Sequence, residues 1–486
     1  MTKKFYLHSA IPYVNAAPHI GHAQEFVYSD VIRRYHTLLG EDVLYLCGAD
    51  ENGLKIIQAA QKAGVEPHKF CDIHQQEFLD VAKKLSVHFD IWQRGTNKNH
   101  FLSSQKLWEL CVKNGDIYKK SYEGLYCVGC EAFYTSDELS KNGECFEHPG
   151  KKLDRVAEEN YFFRLSKYQK FFEELIFTDT LTIIPQSRKN EMVALIKKGL
   201  EDFSISRTKE RAKGWGVPVP GDTDQIMYVW FDANNIYYSG IGLGWNDELF
   251  AKWAPADLMV IGKGILRFHA IYWPAVLKSA GLPLPKQLFA HGYLTVDGQK
   301  MSKTVGNVVD PIKVIEQYGT DAVRYYLARE IPSYSDGDYS DRRFKELYNA
   351  DLANGLGNLV ARVGKMAEGK SFQLSATRLA QAPAKRVSFQ QVNSGDYKKA
   401  LEQYRFNDAL AYVWEKVKAA DKHIDEHEPW KLKGDALHDV LETSINQIIE
   451  IATLLQPFLP DTAEKVLNQF STQPIQPQPS LFPRIT

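Results

Sequence analysis

The sequence has little cysteine, no long apolar run and no surplus of either charge, and each shortage removes a class of protein. Six cysteines in 486 residues are too few for a secreted disulfide framework, and half of them cluster. That pattern favours a metal site in a reducing compartment. No run of 18 or more apolar residues occurs, so no membrane-spanning helix is expected. The first residues place Lys3 and Lys4 before a short apolar stretch that His8 and Pro12 interrupt. No small-residue cleavage site follows, so this segment reads as a first strand, and the cytosol is the expected location. Lysine plus arginine number 59 against 60 acidic residues, a net charge of −1. Any nucleic-acid site must then be a local basic or aromatic patch. Also missing are an internal repeat and a G-x-G-x-x-G after the first strand, the fingerprint of dinucleotide binding.

What is present reads as a globular chain of about three domains, at ~150 residues each. Hydrophobic residues make up 44% and charged residues 24%, an ordinary soluble balance. Phe5 to Ser9 is a short apolar run of strand length. Pro12 to Pro18 is turn-rich. From His19 the period becomes helical, with Phe26, Val27, Val31, Tyr35, Leu38 and Leu39 on one face and Gly40 as the stop. Val43 to Cys47 is a second buried strand. The strand–turn–helix–strand order predicts a doubly wound α/β sheet, whose ligands bind at the carboxyl ends of the strands. Residues 115–210 differ, carrying the cysteine cluster and an aromatic segment, and read as an insertion. Strand pattern returns at Met227 to Phe231, Leu258 to Ile261 and Leu288 to Thr295. Beyond Phe344 the apolar spacing is helical over Leu347 to Met366, Tyr397 to His423 and Ala436 to Leu455. Residues 371–396 read as a loop, and the proline-rich tail from Thr472 as extended or frayed chain.

Two short motifs carry chemistry. His19-Ile20-Gly21-His22 opens the first helix. A helix N-terminus offers free N–H groups and positive dipole to a phosphate, and Gly21 permits close approach. The alternative is a chance tetrapeptide with surface histidines. Lys300-Met301-Ser302-Lys303-Thr304 follows the run 288–295 and a turn at Asp297-Gly298. Two lysines on such a loop suit the charge that builds on an α-phosphate and a departing pyrophosphate. The alternative is a solvated surface loop. The third pattern is Cys127-x-x-Cys130 followed by Cys145-x-x-His148. This is the spacing of a four-coordinate structural zinc, with no open position for chemistry. A redox pair or unrelated thiols are the other readings. Cys47, Cys71 and Cys111 lie in apolar periodic contexts and read as buried small hydrophobes.

The two phosphate motifs in this order resemble the HIGH and KMSKS signatures of class I aminoacyl-tRNA synthetases, with Thr304 keeping the final hydroxyl. The nearer resemblance is to the methionyl-tRNA synthetases. It rests on ordered blocks along nearly the whole chain: Ala10 to Tyr13, Cys47 to Gly53, Ser204 to Arg207, Trp215 to Pro220, Tyr228 to Ala233 and Arg267 to Pro274. Asn52 stands where that family usually has histidine, and Gly264 where it usually has aspartate. The resemblance implies a Rossmann-like catalytic domain in two halves, 1–114 and 211–343. A zinc-binding insertion at 115–210 separates them, and an α-helical anticodon-binding bundle follows at 344–486. It implies ATP contacts from His19, Gly21, His22, Lys300, Ser302 and Lys303, with His19, His22, Lys300 and Lys303 catalytic. It implies a methionine pocket from Ala10, Ile11, Tyr13, Asp50, Trp230, Tyr237, Ile265 and His269, Asp50 holding the α-ammonium. Sulfur–aromatic contacts make such a pocket chemically reasonable; plain core packing is the other fate of Trp230 and Tyr237.

The family's anticodon readers fall on Asn358, Arg362 and Trp430. Asn358 and Arg362 are four apart and project from one helix face, and Trp430 can stack on a base. The competing reading buries Trp430 in the bundle core. The implied reaction is ligation of methionine to initiator and elongator tRNA with ATP, its Mg²⁺ and one structural zinc, by a monomer without membrane contact. The leucine and cysteine enzymes of the class fit less well. The first carries a large editing insertion, and the second a zinc in its substrate pocket. A non-catalytic tRNA-binding paralogue would need a broken signature, and both are intact.

Overall fold

A computed structural model describes residues 2–127, 132–134, 139–145, 150–301, 306–372, 389 and 395–485, with backbone alone at Ala132, Phe133 and Lys300. Six strands form the main sheet: β1 (Lys4–Ser9), β2 (Asp42–Ala49), β3 (Ile91–Arg94), β4 (Thr182–Ile184), β5 (Leu258–Gly262) and β6 (Gln287–His291). Their spatial order is β3-β2-β1-β5-β6-β4, and every pairing is parallel. A parallel sheet is covered on both faces, which is why its strands read as apolar runs. The pleat divides them. Phe5 and Leu7 enter the core shared with the helical region, while Tyr6, Leu44, Leu46, Met259 and Ile261 enter the core on the other face. Chain order reverses between β1 and β5, and at such a switch point the carboxyl ends of the strands leave a crevice.

The first crossover is α1 (Ile20–Leu38), with Phe26, Val27, Val31 and Tyr35 buried on the sheet. It ends as its sequence requires, with Gly40 in the left-handed region at φ +83°. After α2 (Lys98–Lys113) the chain leaves the sheet. Ile117–Cys127 pairs antiparallel with Asp154–Phe163 over its length, flanked by Ala132–Tyr134 and Phe203–Ser204. The span 115–210 also contains β4, which returns to the main sheet beside β6. Three residues, of which only Ile183 and Ile184 are apolar, carry too little period to reveal that return.

The apolar run Met227 to Phe231 is not one strand. Asp222–Met227 is a strand of a small antiparallel sheet, and Val229–Ala233 is a helical turn. A short apolar run does not distinguish a strand from a buried helix. The run 288–295 likewise divides into β6 and Leu294–Val296.

The C-terminal region is helical. After α3 (Thr320–Arg329), a helix from Asp341 passes through a π-helical stretch, Tyr348–Gly357, into α4 (Asn358–Met366). Then come α5 (Phe406–His427), α6 (Gly434–Leu455) and α7 (Pro460–Ser471). The expected Tyr397–His423 helix is broken at Tyr404, where φ is +57°. The tail after Thr472 is irregular but not frayed. Ile475 and Phe482 are buried, Ile475 pairs with Gly369 and Lys370 through its backbone, and the Ile485 N–H donates to Asn349. Arg324 rivets sheet and bundle together. Its guanidinium donates to the carbonyls of Leu85, Pro457 and Phe458 at 2.7–3.0 Å and pairs with Asp30 of α1 at 2.8 Å, all out of solvent.

Candidate active site

The crevice at the switch point holds the first motif. His19 caps α1 in extended conformation, and its Nδ1 accepts the Gly21 N–H at 3.1 Å. The Nδ1 of His22 accepts the His19 N–H at 3.1 Å. This is a capping box made of two imidazoles. An accepting Nδ1 carries no hydrogen, so each neutral ring bears its proton on Nε2 and presents a donor. The rings stack with centroids 3.8 Å apart. Burial, and then the neighbouring His19, hold the His22 pKa well below the usual imidazole range. A Cβ on Gly21 would lie 3.0 Å from the His19 ring, so the cap admits only glycine without adjustment.

The second motif is brought to the first. Leu294–Val296 and Gln299–Lys300 form a hairpin around Asp297 and Gly298, both at positive φ, the two-residue turn that the sequence predicts. The Met301 methyl lies 3.5 Å from the position a Gly21 Cβ would take. The Ile20 N–H donates to the Val309 carbonyl at 3.0 Å, fixing the far side of the loop. Ser302, Lys303 and Thr304 lie outside the described residues, as does the Lys300 side chain.

Beside this pair stands an aromatic group. Trp230 stacks on Phe268 with centroids 3.9 Å apart and meets the Tyr13 ring edge-on at 6.5 Å. Ile11 and Tyr13 pack with Trp230 on Tyr228, Val229 and Ala233, while the Ala10 N–H pairs with Val260 of β5. The backbone of Tyr13 bridges that of Asp50 at the end of β2. The Tyr237 hydroxyl donates to His269 Nε2 at 2.9 Å, and His269 Nδ1–H donates to the Ile265 carbonyl at 3.0 Å. That fixes the His269 tautomer. Burial lowers its pKa to about 4, and burial raises that of Tyr237 well above its usual value, so both keep these roles at neutral pH. The unfolded chain takes up protons at pH values where His8, His22 and His269 remain neutral in the fold. Their contribution is therefore complete above pH ~6.5 and is lost as pH falls towards 4. Denaturant midpoints measured from pH 7 to 4 should fall steadily; a flat profile would show these rings to be solvated.

Several residues here escaped sequence reasoning. Phe268 lies within the segment Arg267 to Pro274, where nothing in its residue type separates it from core. Asp232 accepts from His100 Nε2 and Ser104 Oγ, both at 2.8 Å, and from Asn52 Nδ2 at 2.6 Å. No spacing in the sequence marks this buried network. It accounts for Asn52, whose amide also donates to the Gly95 carbonyl at 2.8 Å. Gly264 is explained by Tyr293, whose hydroxyl would lie 1.7 Å from any Cβ there.

The sulfurs of Cys127 and Cys145, both buried, lie 3.3 Å apart. That is far beyond a disulfide bond of ~2.05 Å and nearer the ~3.8 Å of two sulfurs sharing a tetrahedral zinc at ~2.3 Å. Cys130 and His148 lie outside the described residues; among those described, no three metal-ligating side chains gather. Cys47, Cys71 and Cys111 are buried thiols, and burial pushes Cys47 and Cys111 up to about 12. At the far end, Asn358 is exposed and Trp430 is 54% exposed, so Trp430 is not core. Arg362 lies 5.8 Å from the Trp430 ring and pairs with Asp421 and Asp425 at 3.0 and 2.8 Å.

A parallel sheet with a donor-lined helix N-terminus at its switch point, and a hairpin whose Met301 packs on that N-terminus, define an α/β protein with an anion-accepting crevice. The family model described as tRNA synthetases class I (M) matches residues 5–364, and the chain belongs to that family. A methionine–tRNA ligase of Thermotoga maritima is 42% identical over 482 residues, covering 96% of this chain and 75% of that protein. One from Brucella suis is 41% identical over 478 residues, covering 96% and 91%. The structure of Mycobacterium tuberculosis methionyl-tRNA synthetase with methionyl-adenylate superposes with a TM-score of 0.87 at 36% identity, covering 100% of this chain and 99% of that one.

Proposed function

We propose that this chain is a methionine–tRNA ligase. The methionine carboxylate attacks the α-phosphorus of ATP, and pyrophosphate leaves. A hydroxyl of the tRNA's terminal adenosine then attacks the adenylate carbonyl, and AMP leaves. No protein nucleophile is needed, so catalysis is orientation plus stabilisation of phosphate charge. The observation that supports this reading is the Met301 methyl, 3.5 Å from where a Gly21 Cβ would stand, which sets the end of the hairpin beside the helix N-terminus of His19 and His22. His19 and His22 donate to phosphate as neutral rings, the Gly21 backbone lets it approach, and Lys300, Ser302 and Lys303 close over the leaving group. Asp50 holds the ammonium. Ala10, Ile11, Tyr13, Trp230, Tyr237, Ile265 and His269 enclose the thioether, with Tyr237 and His269 presenting a fixed polar edge. Mg²⁺ arrives with the phosphates, because it keeps most of its water and binds substrate oxygens. Pyrophosphate exchange tested with each of the twenty amino acids should respond to methionine alone; exchange with another amino acid would overturn the assignment.

The reading divides the chain at 1–114, 115–210, 211–343 and 344–486, with β4 lent by the second segment to the sheet. The protein works as a cytoplasmic monomer. Zinc would be held by Cys127, Cys130, Cys145 and His148, where it would cross-link an insertion too small for a core of its own. Cys127→Ala leaves three ligands and should release the metal. The insertion should then become protease-sensitive while the main sheet stays folded. Elemental analysis that finds no zinc in protein purified without chelators would reject the site.

Asn358, Arg362 and Trp430 read the anticodon, Trp430 by stacking. Trp430→Ala should weaken tRNA charging 5- to 150-fold, at ~1–3 kcal/mol per stacked base. Pyrophosphate exchange, which needs no tRNA, should not change. Unchanged charging, or equal damage to charging, exchange and melting temperature, would refute the role.

A further inference from the structure

A cleft of about 490 Å³ opens beside the crevice and has no part in the reaction described above. Its size falls within the ~300–1,000 Å³ of small-ligand pockets. One wall is Asn52, two residues after Asp50. Another is Trp215, whose Nε1–H donates to the Glu51 carbonyl at 2.6 Å and whose ring lies 4.6 Å from that of His68. Facing them, the first turn of α2 supplies Lys98, Phe101 and Leu102, with Lys98 and Leu102 exposed. No carboxylate is among the lining residues. An aromatic pair, an apolar wall and one cation suit a planar ligand carrying a negative charge, which is a nucleotide. ATP and methionine are provided for elsewhere. The remaining substrate is a single strand whose last adenosine must reach the carboxyl group bound next to Asp50. The Glu51–Asn52 segment, which leads from Asp50 to the cleft wall, offers the nucleotides before that adenosine a path.

We propose that this cleft holds a nucleotide just before the terminal adenosine of the tRNA 3′ end, its base against Trp215 and His68 and its phosphate at Lys98. The proposal rests on the ligase reading. Its test separates the two steps of the reaction. In Trp215→Ala, methionine-dependent pyrophosphate exchange should stay within twofold of the parent. Single-turnover transfer from bound methionyl-adenylate to tRNA should slow 5- to 150-fold, the scale of one lost stack. Trp215→Phe keeps a ring and should restore most of the transfer rate. Lys98→Ala touches no buried group and should slow transfer several-fold. A tRNA lacking the penultimate base should lose the same factor with the parent enzyme and nothing further with Trp215→Ala. Parallel loss of exchange in Trp215→Ala and Trp215→Phe would overturn the proposal, because Trp215 would then act through Glu51 on the methionine site. Additive losses from the variant and the abasic tRNA would overturn it too, by placing the base elsewhere. Absence of exchange in the parent protein would instead defeat the ligase reading.

Discussion

Lys303→Ala should slow methionine activation by ~10²–10³-fold, the scale for removing one preorganised charge donor from a transition state. The geometry behind this expectation is the hairpin. Its turn at Asp297 and Gly298 is of the tight two-residue kind, and Met301 ends with its methyl against the cap of α1. That contact brings the hairpin to the helix N-terminus that carries the two imidazole donors. In the proposed reaction these neutral rings orient phosphate without cancelling its charge, and that role is left to the lysines. Charge on the leaving pyrophosphate grows only as the bond breaks. Loss of Lys303 should therefore lower the adenylation rate while methionine affinity stays near that of the parent. Stopped-flow adenylation is the measurement. A rate within threefold of the parent would remove Lys303 from the mechanism.

Arg324→Ala should destabilise the fold by ~3–5 kcal/mol, the scale for breaking a buried ion pair from one side. The residue donates to three carbonyls and to Asp30, with both charged side chains fully shielded from solvent. Alanine would leave the carbonyls of Leu85, Pro457 and Phe458 unmatched. Asp30 would keep only Arg34, at 2.6 Å, as its ion-pair partner. Arg324→Met fills much of the volume but restores none of the donors, so it should recover little. Asp30→Asn combined with Arg324→Met removes the stranded charge and should recover part of the loss. Urea unfolding midpoints of the three variants decide the matter. A loss below ~1 kcal/mol for Arg324→Ala would mean that water reaches the site.

The parts legible in the sequence were those written in local pattern. Phe5 to Leu7 and Leu258 to Ile261 are continuous apolar runs because their strands are covered on both faces, and both lie in the sheet. The turn at Asp297-Gly298 was legible because few residues accept positive φ twice in succession. The edge strand Thr182–Ile184 was not, since three residues pair with β6 only through the tertiary fold. The helical turn at Val229–Ala233 was hidden for a different reason: its apolar residues are buried in either conformation. Trp430 had two readings in the sequence, a stacking surface or bundle core, and its exposure removes the second. An indole after a bundle helix is usually core, but here Glu428 takes a left-handed conformation and Pro429 is the residue that goes inside. The Asn52–Asp232–His100 network could not be read at all, because its members come from three separated segments and show no shared spacing.

The apolar core that begins under Phe5 and Leu7 runs without a break to Ile445 and Leu454 in α6. The crevice at one end of the molecule and the surface around Trp430 at the other therefore rest on one continuous core, which should unfold as one unit. A free energy gained by any ligand that binds only the folded chain is then shared by the whole of that unit. An RNA hairpin held at Trp430 would protect the phosphate crevice from thermal opening without touching it, and methionyl-adenylate would do the same for the helices. Selection on either function acts on a common melting point, so a substitution tolerated by one partner site is still constrained by the other.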